Sequence, residues 1–251
     1  DHNLYILEDC AQCFLAHDHR GKIAGTAGDV GSWSFENSKH LSCGDGGIVT
    51  TDNPSLAEFM RQYAGVGFKN ITASSGKVRI SRDKFQNPDW KRHNMLAYNY
   101  RLPEICAAVA LAQVEKMDEL CEKRCLMGLG YLEVIKKSKS NILIPQETPT
   151  GYTNSYYTFA AIFNGDRYGI EWQEFRKKYM ELGGDGIYAA WQLVYNEPCF
   201  KNQKIGWGRA PVAEWLQRRI MQFTCNQSNE EERQHQMECL HQTLEYFEEN
   251  N

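Results

Sequence analysis

The 251-residue chain has no run of 18 apolar residues, which excludes a transmembrane helix. Its opening, DHNLYILEDC, lacks a basic leader followed by an apolar stretch, so a signal peptide is not expected there. Charge of one sign is also missing. The 28 Lys and Arg and 32 Asp and Glu leave a net charge of -4, mixed along the chain, which excludes broad electrostatic attraction to nucleic acid or anionic membrane. No internal repeat or low-complexity segment is found. Cys10-x-x-Cys13 has no second close Cys or His pair to make a zinc site, and His17, Asp18 and His19 read as a polar turn before Arg20-Gly21. The nine cysteines are odd in number and scattered, the pattern of free thiols in a reducing compartment, so the chain is expected to be cytoplasmic.

What is present suits a folded enzyme. A hydrophobic content of 42% is enough for one large domain or two modest ones with a real core. Leu4 to Leu7 read as a buried strand with Glu8 and Asp9 at its C-terminal end. Asp29 to Phe35 read as a second strand. A Gly44-Asp45-Gly46-Gly47 turn leads to a third, the β-branched run Ile48 to Thr51. Asn53 and Pro54 predict a capped helix to about Tyr63. Gly65 to Leu96 is polar and aperiodic, a long loop of the kind that tends to be functional. Pro103 opens a helical stretch to about Lys137, with Ile105, Val109, Ala112 and Leu120 near helical spacing. Ser138 to Thr153 marks the expected boundary between a domain spanning 1–137 and one spanning 138–251. Beyond it lie a strand (Tyr156 to Phe163), a helix (Ile170 to Leu182), a Trp- and Gly-rich loop (Trp191 to Gly208) and two terminal helices. Alternating strands and helices give an α/β class in two parts, the second smaller and α+β.

Three features gather in the first fifty residues: an Asp at a strand end, Ser34-x-x-x-x-Lys39 after another strand, and a glycine-rich turn after the lysine. Each alone has an ordinary reading as cap, surface lysine or hairpin turn. Together they supply what a pyridoxal-phosphate site needs. The cofactor acts as an electron sink when a carboxylate keeps its ring nitrogen protonated. A lysine forms the Schiff base and then moves protons. A hydroxyl helps bind the phosphate.

The segments EDCAQ, GDVGSWSFENSKHLSCGDGGIVTT and AYNYRLPEICAAVALAQVEKMDEL resemble, in order and spacing, the DegT/DnrJ/EryC1/StrS family of sugar aminotransferases. The likeness extends more loosely to the C-terminus through Asn154 to Phe159. It implies a pyridoxal 5'-phosphate enzyme of the aspartate-aminotransferase fold (fold type I). Residues 1–137 would be part of its large, mostly parallel sheet domain, with the long connecting helix. Asp9 would face the pyridinium nitrogen, Gln12 the ring hydroxyl and Ser34 the phosphate. Lys39 would carry the cofactor and act as general acid–base. Asn99, from the N-Y-R motif, would reach the phosphate of the neighbouring subunit in a homodimer.

Asp45 replaces the family's usual Glu in the glycine turn, and Leu15 stands where the family commonly has Gly. About 150 residues precede the Asp9 strand in family members and hold the helix-N-terminal loop that cradles the phosphate; without that part, the chain is expected to hold the cofactor poorly. The implied activity is amino transfer, with glutamate as expected donor, to a nucleotide-linked keto-sugar in deoxyamino-sugar or surface-polysaccharide biosynthesis. Two alternatives are a truncated member acting through association and the family's sugar dehydratase branch. Lys39 argues against the dehydratase, where a histidine takes the lysine position.

Overall fold

The computed structural model describes residues 2–74, 76–77, 79–200 and 210–250. The chain divides into two compact units, Asp1–Asp118 and Glu119–Asn251.

The first unit is built on a three-stranded sheet in the order β1 (Leu7–Asp9), β2 (Val30–Ser34), β3 (Gly47–Thr50). β1 runs parallel to β2, with Asp9 opposite Ser32, and β3 pairs antiparallel to β2, with Gly47 opposite Ser34. The β1–β2 connection is held by Glu8. Its carboxylate accepts from the backbone N–H groups of Gly25 (2.8 Å), Ala27 (2.7 Å) and Gly28 (2.6 Å). Burial pushes that carboxyl's pKa up, but the three donors outweigh it and hold the group below its ordinary value. The close approach is possible because residue 31 is glycine: a Cβ there would meet the Gly25 carbonyl oxygen at 2.1 Å.

The apolar run expected as a buried strand is not buried. Leu4, Ile6 and Leu7 are exposed, as is Tyr5 at 80%, and the strand proper begins only at Leu7. β1 lies at the edge of its sheet, so β2 pairs with it on one side only. Ile6 is still tied to β2, its N–H donating to Asp29 Oδ2 at 2.7 Å and its carbonyl accepting from the Asp29 and Val30 N–H groups.

Helix α1 (Pro54–Ala64) begins where expected, with Asn53 Oδ1 accepting from the N–H groups of Ser55 and Leu56. The long polar segment contains a short pair, β4 (Ile71–Thr72) and β5 (Gly76–Lys77), and one helical turn, α2 (Arg82–Gln86). The single helical stretch expected from Pro103 is two helices, α3 (Glu104–Val114) and α4 (Met117–Lys137). The Lys116 N–H donates to the Gln113 carbonyl, an i→i−3 bond that tightens the chain between them. Ile105 (82% exposed) and Val109 are not core residues; in α3 only Ala110 is buried.

The second unit is an antiparallel sheet in the order β6 (Leu143–Pro145), β7 (Thr158–Phe163), β9 (Ile220–Thr224), β8 (Ile187–Ala189). α5 (Trp172–Glu181), α6 (Pro211–Gln217) and α7 (Glu230–Glu249) complete it. Alternation along β7 buries Phe159, Ala161 and Phe163 against Met127, Tyr131, Val134 and Ile135 of α4. α4 therefore supplies core to the second unit, and the compact units divide near its start. Within this core Tyr179 Oη donates to Gln236 Oε1 (2.6 Å) and lies 3.2 Å from Tyr131 Oη, and burial raises the pKa of both phenols. The expected loop at Trp191–Gly208 holds two short 3-10 turns, Val194–Asn196 and Pro198–Phe200, and its part from 201 lies outside the described residues. Among the described residues no helix is long and apolar enough to cross a membrane, and no cluster of His, Cys, Asp or Glu could hold a metal ion. The nine cysteines are all unbridged.

Candidate active site

In a parallel pair both strands end at the same edge of the sheet, the edge where open α/β sheets place their ligands. β1 ends on Asp9 and β2 on Ser34, so a carboxylate and a hydroxyl share that edge. Two tight loops follow.

After β1, the Cys10 N–H donates to the Ser32 carbonyl at 2.8 Å, continuing the ladder. The Ala11 N–H donates to Asp9 Oδ1 at 3.0 Å, so the exposed carboxylate is fixed by the turn it starts. Gln12 lies on this turn, exposed. Phe14 then plunges into the core. Leu15 turns the backbone with φ +57°, a left-handed conformation that suits the glycine common at this position in the resembled family. For a leucine it costs roughly 1–2 kcal/mol.

After β2, Ser34 Oγ accepts from the Glu36 N–H at 3.2 Å, leaving its own hydrogen to donate. The Lys39 N–H donates to the Glu36 carbonyl (3.1 Å), and the loop closes through Cys43 N–H to the Phe35 carbonyl and Phe35 N–H to the Gly46 carbonyl. Lys39 is half-buried, and the next two residues, His40 and Leu41, are buried and anchor it. The Ser38 hydroxyl and N–H hold the Glu36 carboxyl below its usual pKa, with a smaller contribution from the Lys39 charge.

One side chain joins the two loops. The Phe14 ring lies 6.2 Å from that of Phe35 and 5.5 Å from that of His40, the neighbours in sequence of Ser34 and Lys39. Asp9, Gln12, Ser34 and Lys39 are thereby carried on two loops wedged together by an aromatic cluster. Sequence reasoning singled out the four polar residues as candidates and missed the wedge. Its signal was a phenylalanine on each side, at spacings that no simple periodicity distinguishes.

Asn99 stands apart, on the segment leading into α3. Its Oδ1 accepts from Arg101 Nε at 2.9 Å, and its backbone bridges to Gly65. It does not cap α3, whose N-cap is Pro103 with no side-chain hydrogen bond. The segment reaches the glycine turn through Leu102: a Cβ at Gly46 would lie 2.8 Å from Leu102 Cδ1. Further on, the Ser42 N–H donates to Gln113 Oε1 of α3 at 3.4 Å.

The donor set fits pyridoxal phosphate. A fixed, exposed carboxylate can face a protonated ring nitrogen, a hydroxyl with a free hydrogen can bind a phosphate oxygen, and a primary amine on an anchored loop can meet an aldehyde.

Comparison with known proteins agrees. The model of the DegT/DnrJ/EryC1/StrS aminotransferase family matches residues 1–240. The chain is 32% identical over 122 residues to GDP-perosamine synthase of Escherichia coli O157:H7, an alignment covering 49% of this chain and 29% of that protein. Its fold matches that of an aminotransferase from Psychrobacter cryohalolentis with a TM-score of 0.83, at 23% identity, over 98% of this chain and 63% of that one. It also matches the E. coli GDP-4-keto-6-deoxy-D-mannose-3-dehydratase with bound hydrated PLP, with a TM-score of 0.74 at 19% identity, over 97% of this chain and 61% of that one. The chain thus spans less than two thirds of the length of these proteins. With the family model covering nearly its whole length, the chain belongs to the DegT/DnrJ/EryC1/StrS aminotransferase family, whose enzymes depend on pyridoxal phosphate and share fold type I.

Proposed function

We propose that the protein transfers an amino group from an amino acid, glutamate in the first instance, to a nucleotide-linked keto-sugar. The product serves deoxyamino-sugar or surface-polysaccharide biosynthesis in the cytoplasm. The observation that carries this reading is the placement of Asp9, Ser34 and Lys39 at one sheet edge, on loops joined through Phe14. GDP-perosamine synthase, by its name, makes an amino sugar attached to a nucleotide, which supports this substrate class.

Pyridoxal phosphate, when bound, supplies an electron sink next to the substrate carbon. The chain's own residues do the rest. Asp9, fixed by the Ala11 N–H, holds a proton on the ring nitrogen. Ser34 donates to the phosphate, and Gln12 orients the ring hydroxyl. Lys39 would hold the cofactor through its amine, and that amine would serve as the general acid–base that moves a proton at the substrate carbon in both half-reactions. The dehydratase reading loses ground to the lysine itself, since Ser34 and Phe35 fix Lys39 in the motif position where that branch has histidine.

We assign residues 1–137 to the cofactor-binding domain, counting α4 with it although its buried face belongs to the core of the second compact unit, and 138–251 to a smaller domain, with a homodimer as the working form and Asn99 completing the partner's site. The exposed position of Asn99, together with its absence from any helix cap, supports that role.

Asp9→Asn tests the chemistry. The amide keeps the shape and the acceptor for the Ala11 N–H but removes the negative charge. In the complete enzyme, stopped-flow measurement of the half-reaction with glutamate should show a loss on the order of 10²–10³-fold, the scale for removing one preorganised electrostatic group. Cofactor binding should weaken much less. A near-normal half-reaction rate would show that another group performs the task.

A further inference from the structure

The polar segment from Gly65 to Leu96 carries seven Lys and Arg against two Asp, in a chain whose net charge is -4. Positive charge is therefore concentrated on a segment that the catalytic reading leaves unused. It is a folded frame. The Lys69 N–H donates to the Arg92 carbonyl (3.0 Å) and the Asn94 N–H to the Gly67 carbonyl (2.9 Å). Phe68 stacks on His93 at 4.8 Å. On this frame the Arg92 guanidinium lies 5.1 Å from the Phe85 ring and 5.6 Å from Trp90, and Lys69 Nζ lies 5.5 Å from Trp90. Phe85 remains 55% exposed and, with Arg79, Ile80, Ser81 and Arg82, lines an open cavity of about 590 Å³. That volume falls within the ~300–1,000 Å³ usual for small-molecule sites. Neither Asp83 nor Asp89, the two acids of the segment, lines it.

We infer that this surface seats the nucleotide portion of the substrate, with Arg79 and Arg82 on the diphosphate and the exposed part of Phe85 under the base. Guanidinium groups match phosphate oxygens in geometry as well as charge. An aromatic ring braced by a cation offers a stacking platform that tolerates different bases. A neutral substrate would make no use of two arginines lining one cavity. The inference rests on the aminotransferase reading and locates one part of its substrate.

The test is calorimetric titration of the holoenzyme with GDP and with UDP, alongside Arg79→Glu/Arg82→Glu and Phe85→Ala. Wild type should show saturable binding that weakens with salt and is stronger for the diphosphate than for the monophosphate. The double charge reversal should weaken diphosphate binding by roughly 100-fold, about tenfold per arginine. Phe85→Ala should weaken nucleotide binding while leaving inorganic pyrophosphate binding unchanged. Visible absorbance of the cofactor should be the same in all three proteins. Undiminished diphosphate binding by the charge-reversed protein, or no binding by wild type, overturns the inference and leaves the aminotransferase reading standing. Preference for a single-stranded oligonucleotide over GDP also overturns it. Arginine-dependent GDP binding in a protein that never takes up the cofactor would instead sink the aminotransferase reading.

Discussion

Lys39→Ala in the complete enzyme is expected to abolish amino transfer and to remove the visible band that borohydride reduces, while the fold survives. Loss of the proton-moving group alone costs about 10²–10⁴-fold, and in the proposed mechanism the same side chain also anchors the cofactor. The fold should survive because the loop is held by its backbone bonds and by the buried His40 and Leu41. Circular dichroism should overlay on wild type. The mutant can still bind pyridoxal phosphate without a covalent bond, through Asp9 and Ser34. Lys39→Arg gives no rescue, because a guanidinium stays protonated and cannot attack an aldehyde. Full turnover by the alanine variant would end the assignment.

Mixing a Lys39→Ala protomer with an Asn99→Ala protomer, each impaired alone, is expected to restore activity if Asn99 serves the neighbouring site. Under subunit exchange half the dimers are mixed. A mixed dimer then has one site with both defects and one with neither, so about a quarter of wild-type activity should return. If Asn99 serves its own subunit, both sites of the mixed dimer are defective and nothing returns. The position of Asn99 makes the experiment clean. Its side chain is exposed and bonds only locally to Arg101 among the hydrogen bonds that tie the segment down, so alanine there should leave the segment in place.

The sequence revealed most where chemistry and local propensity coincide. β2, β3 and the Asn53 cap were legible because β-branched runs and Asn-Pro are local signals. Asp9, Ser34 and Lys39 stood out as candidates because their order and spacing match a motif whose chemistry demands those residue types. The apolar run before Glu8 misled, since hydrophobicity reports a preference for burial and not the presence of a neighbour to provide it. The turn between α3 and α4 contains neither Gly nor Pro, so nothing in its composition marks it. β6 and β8 have three residues each, too few to display alternation, and β9 was hidden between two helices. Phe14 and Glu8 act through partners far along the chain, which no local pattern exposes.

The clamp formed by Glu8 makes the proposed catalytic edge answerable to acidity. Its carboxyl has a lower pKa in the folded chain than the usual 4.5, so the stability it adds is present in full above that value. As the solution is acidified through the folded-state pKa, the proton takes a lone pair away from the three backbone donors. The connection between the strands that end on Asp9 and Ser34 then loosens. As the pH falls below 4.5, hydrogen exchange at Gly25, Ala27 and Gly28 should quicken ahead of the second unit, and Glu8→Gln should show the faster exchange already at neutral pH.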